Sequence, residues 1–429
     1  MIGVLSLKKS YGRHKGKMLY KFFPKNDTPF LIPYSIKSSF SKVNEDLYVI
    51  CENRRENPPS IYDIGTLKHC IGSVNNLNAY YEYELYRKNL VLSLNDFYHR
   101  TKSIEIAEEA ETDRFIFTID SATTTDFDDA ISIHYEDGRP VISVYIANVP
   151  YIMEKFGLWN AMTEKVSTIY LPDKKHTMLP SPLENACSLQ EKCNRYVYVM
   201  EIRDNVSFRQ KCVQISKNYV YEESSLLSSK HYKRILSVVQ GMAAMVSFDI
   251  QIPVDSYSLI VYLMIFMNHQ CALKLDAGIF RKVTAMAPRE HSDIFGTWMN
   301  WFGEYTTNKS KHEMLGVEYT HVTSPIRRLV DVINLAILQG FGKEFCAHWM
   351  ERIEFINEKM KAIKKVQRNC ELMKCCLEGK KEYDAIGMEN CIYIPELKMI
   401  SKPMGIGEFR VKIVIMENKE AFKKIKFVL

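Results

Sequence analysis

Over residues 1–52 apolar and polar positions alternate in short runs, GVLSL, KMLYKFF, TPFLIPY and DLYVICE, broken by Gly, Pro and Asn. A period of two sends successive side chains to opposite faces of a strand, so the spacing predicts a region of short strands reaching to about residue 110, as in a small β-barrel. Between residues 111 and 345 both periods occur. DDAISIHY and PVISVYIANV alternate and meet at Asp137-Gly138, a dipeptide suited to a type I′ hairpin turn. Residues 257–275 and 325–340 carry helical spacing. Phe345, Trp349, Ile353, Ile356, Met360, Ile363 and Val366 then predict one long amphipathic helix over 346–379, with Lys361, Lys364, Lys365 and Arg368 among its polar positions. CIYIPEL, FRVKIVIME and KKIKFVL read as strands of a second, abbreviated barrel. The expected fold class is multidomain α+β: a β region over 1–110, a mixed α/β domain over 111–380 that includes the long helix, and a short barrel over 381–429.

Composition changes this picture little. The 429 residues, 46% hydrophobic and 25% charged, are those of a globular chain with a sizeable core. A net charge of +6 permits a polyanionic partner without demanding one. In the first strands Lys8, Lys9, Arg13, Lys15, Lys17 and Lys21 alternate with Tyr11, Tyr20, Phe22 and Phe23. That mixture suits single-stranded nucleic acid, whose bases stack while its phosphates are neutralised; the competing reading is a lysine-guarded edge strand. Eleven cysteines form no zinc spacing and read as reduced thiols of an intracellular protein, cytoplasmic or nuclear. The Lys-rich, acid-poor opening leaves mitochondrial targeting open. The longest apolar run, Leu259–Met267, is too short for a bilayer, so no membrane partner is expected.

Candidate chemistry begins at DSATTTDFDD, residues 120–129, where four aspartates crowd beside an apolar run. Like charges this close raise one another's pKa, so a cation is expected among them. Asp126 and Asp128, two apart, would share one side of an extended chain, with Asp129 on the other. Hard carboxylate oxygens suit Mg²⁺, with Mn²⁺ as an alternative. An EF-hand is excluded, because Ala130 and Ile131 stand where its polar fifth residue and glycine belong. An exposed acidic turn is the plainer alternative. Downstream, YTHVTSPIRRLVD places Arg327 and Arg328 at an expected helix start, where cations oppose the macrodipole and an anionic ligand would give them a purpose. Metal-binding carboxylates and phosphate-binding arginines in one domain are the equipment of phosphoryl transfer.

In order, DSATTTDFDDAIS, VYIANV, STIYLPDKKHTMLPSPLENACSLQ with Arg195, and TSPIRRLVD resemble the motifs of the RNB family, the ribonuclease II-like exoribonucleases, over about residues 115–345. The resemblance implies an RNB catalytic domain flanked by OB-like barrels, and a Mg²⁺-dependent hydrolytic enzyme that degrades single-stranded RNA from its 3′ end to nucleoside 5′-monophosphates. It implies Asp120, Asp126, Asp128 and Asp129 as metal ligands, Asp128, Asp129 and Arg327 as catalytic residues, and Tyr170 as the aromatic that stacks on the terminal base. It further implies RNA contacts from Arg195, Asn268, Arg281, Ser324 and Arg328, and shaping of the channel wall by Met178, Leu179, Pro180 and Ser188. His134 and His321 are read as packing or surface residues.

The chain departs from the family pattern at Asn148, where an Asp is usual, at Val261 and Tyr262, where a Glu pair is usual, and at Leu335 and Ala336, where His-Arg is usual. These departures keep the aspartate cluster and thin the groups that position RNA. Two readings follow: an active exoribonuclease, on its own or within an RNA-degrading complex, and an RNA-binding protein on an RNB scaffold that no longer cleaves.

Overall fold

The computed structural model describes residues 1–25, 27–36, 45–53, 63–106, 108–244, 251–285, 301–379, 382–388, 391–397, 399–417 and 423–429. Its contacts divide the chain into two compact units. One comprises Met1–Val91, Tyr170–Lys175 and Lys361–Leu429, the other Leu92–Ile169 and His176–Met360.

The first unit contains two five-stranded antiparallel sheets. In the N-terminal one the strands run Phe30–Tyr34, Lys17–Pro24, Ile2–His14, Leu47–Glu52, Thr66–Ser73 in spatial order. Backbone bonds from Leu31 N–H to Asp63 O (2.9 Å) and from Gly65 N–H to Leu31 O (2.8 Å) tie its far edges and curl it toward a barrel. Leu5, Leu7, Phe22, Phe30, Ile32 and Val49 fill the interior, as the period-two pattern requires. The C-terminal sheet runs Met399–Ser401, Cys391–Ile394, Glu382–Met388, Gly407–Glu417, Lys423–Val428 and closes over Tyr383, Ile392, Ile394, Val411 and Ile413. The α+β class with curled sheets at both ends is therefore the observed fold.

The second unit is built on a six-stranded sheet in the order Val206–Gln214, Asn194–Ile202, Arg139–Ala147, Asp129–Glu136, Phe117–Asp120, Lys217–Val220. The expected hairpin is present: Asp129–Glu136 pairs with Arg139–Ala147, and Asp137 (φ 51°) and Gly138 (φ 78°) both take the left-handed conformations of a type I′ turn. The outermost strand, Lys217–Val220, pairs in parallel with Phe117–Asp120. Helix Ser256–Lys274 covers the sheet through Leu259, Tyr262, Leu263, Phe266 and Met267.

Two expectations about helices need correction. The helix predicted over 325–340 begins only at Leu329 and ends at Gln339, so Pro325 and Arg327 lie in the turn before it. The single helix predicted over 346–379 is two, Lys343–Glu351 and Ile353–Glu378. Arg352 interrupts it with φ −100° and ψ 28°, and its guanidinium lies over the rings of Trp349 (4.9 Å) and Phe355 (4.4 Å), so one side chain stacks on both segments at the break. Neither Pro nor Gly marks the break in the sequence.

Candidate active site

Asp120 ends its strand and Asp129 opens the next, while Asp126 and Asp128 lie in the irregular loop between them. The same-side argument from strand alternation therefore does not govern them. Backbone contacts fix the loop instead. Phe127 N–H donates to Ser188 Oγ (3.0 Å), Leu189 N–H donates to Phe127 O (2.9 Å), and Ala147 N–H donates to Asp128 O (2.9 Å). The result turns Asp128 inward, where it is only 2% exposed.

The segment 319–328 meets Asp128 from the other side. Ile326 N–H donates to Asp128 Oδ1 (2.9 Å), and Arg327 Nε stands 3.0 Å from Asp128 Oδ2. That second contact is an ion pair without hydrogen-bond alignment, so Asp128 Oδ2 is buried with no donor, as is Asp120 Oδ2. Burial pushes Asp128 up to about 7, against the pull of Arg327 and of Ile326 N–H and with the help of Asp126 and Asp331. Burial raises Asp120 to about 6, with Thr118 and Arg327 opposing and Asp126 adding. Asp129 is raised by burial, then by the charges of Asp120 and Asp128, with Arg327 opposing. The carboxylates thus feel one another across the loop, Asp129 included.

These are the properties of carboxylates short of positive charge. A donor set of hard oxygens, two of them orphaned, fits a divalent cation. The spacing is more open than a closed coordination shell: among the described residues no three Asp, Glu, His or Cys side chains are gathered as tightly as a metal-bound set, so the carboxylates would draw together around a cation.

The other expected residues fall into distinct settings. Ser324 N–H donates to Asp331 Oδ1 (2.7 Å), and Ser324 Oγ accepts from Arg327 (3.1 Å). Arg328 is the N-cap residue of helix Leu329–Gln339 and pairs at 2.8 Å with the fully buried Asp331 in the first turn. The cations at this helix start thus have carboxylate partners within the fold, Asp128 for Arg327 and Asp331 for Arg328. Asn268 is buried; its Nδ2 donates to Tyr319 Oη (3.0 Å) and Thr323 Oγ1 (3.3 Å), and its Oδ1 accepts from Val322 N–H (2.8 Å). Asn334 does the same one helix away, donating to Ile279 O, Thr320 Oγ1 and His321 O. The two amides anchor the strap that carries Arg327. Arg281 lies over the Tyr305 ring at 5.1 Å and crosses the backbone at Gly303, where a Cβ would meet its terminal nitrogen at 2.3 Å. Arg195 is buried and donates to the carbonyls of Ser188 (2.5 Å), Asn194 (2.8 Å) and Asn185 (3.0 Å). Tyr170 is exposed and belongs to the other unit.

Three of the departures have physical accounts. Asn148 caps the helix Val149–Lys155 through Tyr151 N–H (3.2 Å) and exchanges two hydrogen bonds with Gln339, at 2.7 and 3.0 Å. A neutral amide pair replaces a charge there. Leu335 and Ala336 are fully buried, where His-Arg would need partners. Sequence reasoning missed Tyr221. Its N–H donates to Asp120 O (2.9 Å), and burial together with the charges of Asp129 and Asp120 raises its phenol.

Residues 111–231 match the RNB domain. Ribonuclease R of Chlamydia muridarum is 37% identical over 100 residues, 23% of this chain and 14% of that protein. Exoribonuclease 2 of Photorhabdus laumondii is 35% identical over 119 residues, 25% of this chain and 18% of that protein. The matches thus span less than a quarter of these curated relatives. Among solved structures, Mycoplasma genitalium RNase R in complex with double-stranded RNA superposes with a TM-score of 0.72 at 15% identity, over all of this chain and 95% of that one. Yeast Ssd1, a pseudonuclease, superposes with a TM-score of 0.64 at 14% identity, over 96% of this chain and 64% of that one. At such identities the likeness is one of fold.

Proposed function

We propose, for a chain that carries the RNB domain of the ribonuclease R and ribonuclease II family, a hydrolytic 3′-to-5′ exoribonuclease that acts on single-stranded RNA and releases nucleoside 5′-monophosphates. The observation that carries the reading is Asp128: buried, with one oxygen undonated, and faced by the half-exposed guanidinium of Arg327. A chain with no use for the site would have no physical reason to keep repelling carboxylates around it.

Asp120, Asp126, Asp128 and Asp129 would hold Mg²⁺ or Mn²⁺, which when bound activates water and neutralises charge on a phosphodiester. Arg327, half-exposed beside Asp128, would stabilise charge on the scissile phosphate. Ile326 N–H holds Asp128 in a fixed orientation. Tyr170 is assigned the terminal base on the strength of the resemblance. Arg281 is assigned a place along the RNA path, and Arg195, Asn268, Ser324 and Arg328 act by shaping the loop and strap.

A second reading, an RNA-binding protein without nuclease activity, draws on three observations: the open spacing of the carboxylates, Val261 and Tyr262 where acids are usual, and a pseudonuclease among the structural neighbours. The deciding experiment incubates 5′-labelled single-stranded RNA, and a 3′-blocked control, with the native chain or Asp128→Asn, in Mg²⁺ or chelator. The expected result is a Mg²⁺-dependent ladder shortening from the 3′ end, absent with the variant and with the blocked RNA. RNA that shifts on a gel and stays intact under all conditions would leave the second reading standing.

A further inference from the structure

Tyr221 and Tyr257 come from segments 36 positions apart, the end of the outermost sheet strand and the first turn of helix Ser256–Lys274. Their rings meet edge to face, with centroids 5.6 Å apart and planes at 65°. Tyr257 is 62% exposed, and beside it Val254 is 76% and Ile252 47% exposed. So much uncovered apolar surface in one turn, next to a polar site, calls for an occupant.

Hydrogen bonds pin the backbone that presents this surface. Glu222 adopts φ 57°, a left-handed conformation that a residue with a Cβ takes only under compensation. The compensation is a reciprocal clamp on Ser256: Glu222 N–H donates to Ser256 Oγ (3.1 Å), and Ser256 donates through both its N–H (2.9 Å) and its hydroxyl to Glu222 Oε1. Residues 222 and 256 are the immediate neighbours of the two tyrosines. On the far side, Gln240 Nε2 donates to Pro253 O (2.9 Å), and Asp255 and Ser258 form a capping box that fixes the chain beneath Val254. Tyr221 is in turn tied to the aspartate site by its N–H bond to Asp120 O.

We propose that Tyr257, backed by Tyr221 and flanked by Val254 and Ile252, is a stacking shelf for a nucleobase of the RNA strand whose phosphate lies at the aspartates. The inference rests on the exoribonuclease reading above and adds a second aromatic contact to the one assigned to Tyr170. A flat π-face with an apolar rim recognises any base without reading its hydrogen-bonding edge. The shelf stands on the same helix as Val261, one turn from Tyr257. Where relatives carry acids on that helix, this chain would hold its substrate by stacking. Weak sequence preference and low sensitivity to salt at this contact follow, because no charge takes part.

The test uses the full chain bearing Asp128→Asn, so that RNA stays intact, with single-stranded oligonucleotides carrying 2-aminopurine at the 3′-terminal, penultimate or a distant internal position. Stacking quenches the probe. The expected result is quenching at one of the two end positions that Tyr257→Ala abolishes and Tyr257→Phe retains, with RNA affinity in the alanine variant weakened about five- to a hundredfold. In the cleaving chain the alanine variant raises KM more than it lowers kcat. If RNA binds and quenching and affinity are the same in Tyr257→Ala, the shelf is overturned and the exoribonuclease reading survives. Failure of the Asp128→Asn chain to bind RNA, together with no ladder from the native chain, removes both. If sedimentation shows that Tyr257→Ala changes self-association while leaving RNA binding untouched, the patch covers a second copy of the chain, and the shelf is likewise overturned.

Discussion

Burial and charge pull Asp128 in opposite directions, and burial prevails. An aspartate in the unfolded chain titrates near 3.8, whereas Asp128 in the fold is pushed up to about 7 by burial, despite Arg327 beside it. Between those values the folded chain binds the proton more tightly than the unfolded one, so stability is lost as pH rises through that window and stays reduced above it. Asp120, raised to about 6, contributes over the lower part of the same window. In chelator, the thermal midpoint of the native chain is therefore expected to fall from pH 4 to pH 7 more steeply than that of Asp128→Asn, which cannot ionise. At pH 8 the variant should melt higher by about 2–4 °C for each kcal/mol relieved. Adding Mg²⁺ at pH 8 should recover stability in the native chain and much less in the variant. Scanning calorimetry across pH reads all three, and parallel curves for the two chains would mean that Asp128 is not the strained group.

At the scale of elements, much of the active loop's geometry hangs on an arginine outside it. Arg195 gathers two carbonyls at the end of helix Ser181–Cys187, those of Asn185 and Ser188, together with that of its neighbour Asn194, and the Ser188 hydroxyl accepts from Phe127 N–H between Asp126 and Asp128. Arg195→Ala strips the charged donors from these carbonyls and should cost about 2–4 kcal/mol in urea unfolding. Arg195→Lys, one compact donor group in place of a planar fork, should fall between the two. A native-like midpoint for the alanine variant would show the latch to be incidental. Periodicity alone could not have found this role. The strands at 129–147 and the helix at 256–274 were legible because burial on one face imposes a period and Asp137-Gly138 suits only a tight turn. Arg195 and Arg328 carried the right residue type in the right motif, but whether a guanidinium faces a carbonyl, an aspartate or solvent depends on chain far away in sequence. Tyr221 had no local signal, because it reaches Asp120 through parallel pairing of strands about a hundred residues apart. The start of helix Leu329–Gln339 was misplaced because Ser-Pro at a helix end resembles one at a turn, and Arg328, a poor cap by type, holds the N-cap position.

For the whole molecule, the net charge of +6 matters less than where cations meet rings. In the N-terminal sheet Lys9 lies 5.5 Å over Tyr11 and Lys21 lies 5.3 Å over Phe23, each pair two residues apart and so on one face of its strand. The expected edge does not hold at Lys21, whose strand Lys17–Pro24 is paired on both sides; the remaining alternative is a solvated lysine surface that takes no part in binding. Pairing each ammonium with a ring instead offers a strand of RNA both a phosphate partner and a stacking surface. The two accounts differ in salt dependence, since each phosphate neutralised on a single strand contributes roughly 0.7 to the slope of log affinity against log salt. With Asp128→Asn as the background and single-stranded RNA followed by fluorescence anisotropy from 50 to 300 mM salt, Lys9→Gln with Lys21→Gln should lower the slope by about 1.4. Affinity should fall most at the low-salt end, where released counterions matter most. Lys192→Gln, beside its own carboxylate Glu191, serves as the comparison and should leave the slope unchanged. If the double variant keeps the native slope, the two lysines are solvated surface charges that take no part in binding, and the grip on RNA lies in the domain that holds the aspartates.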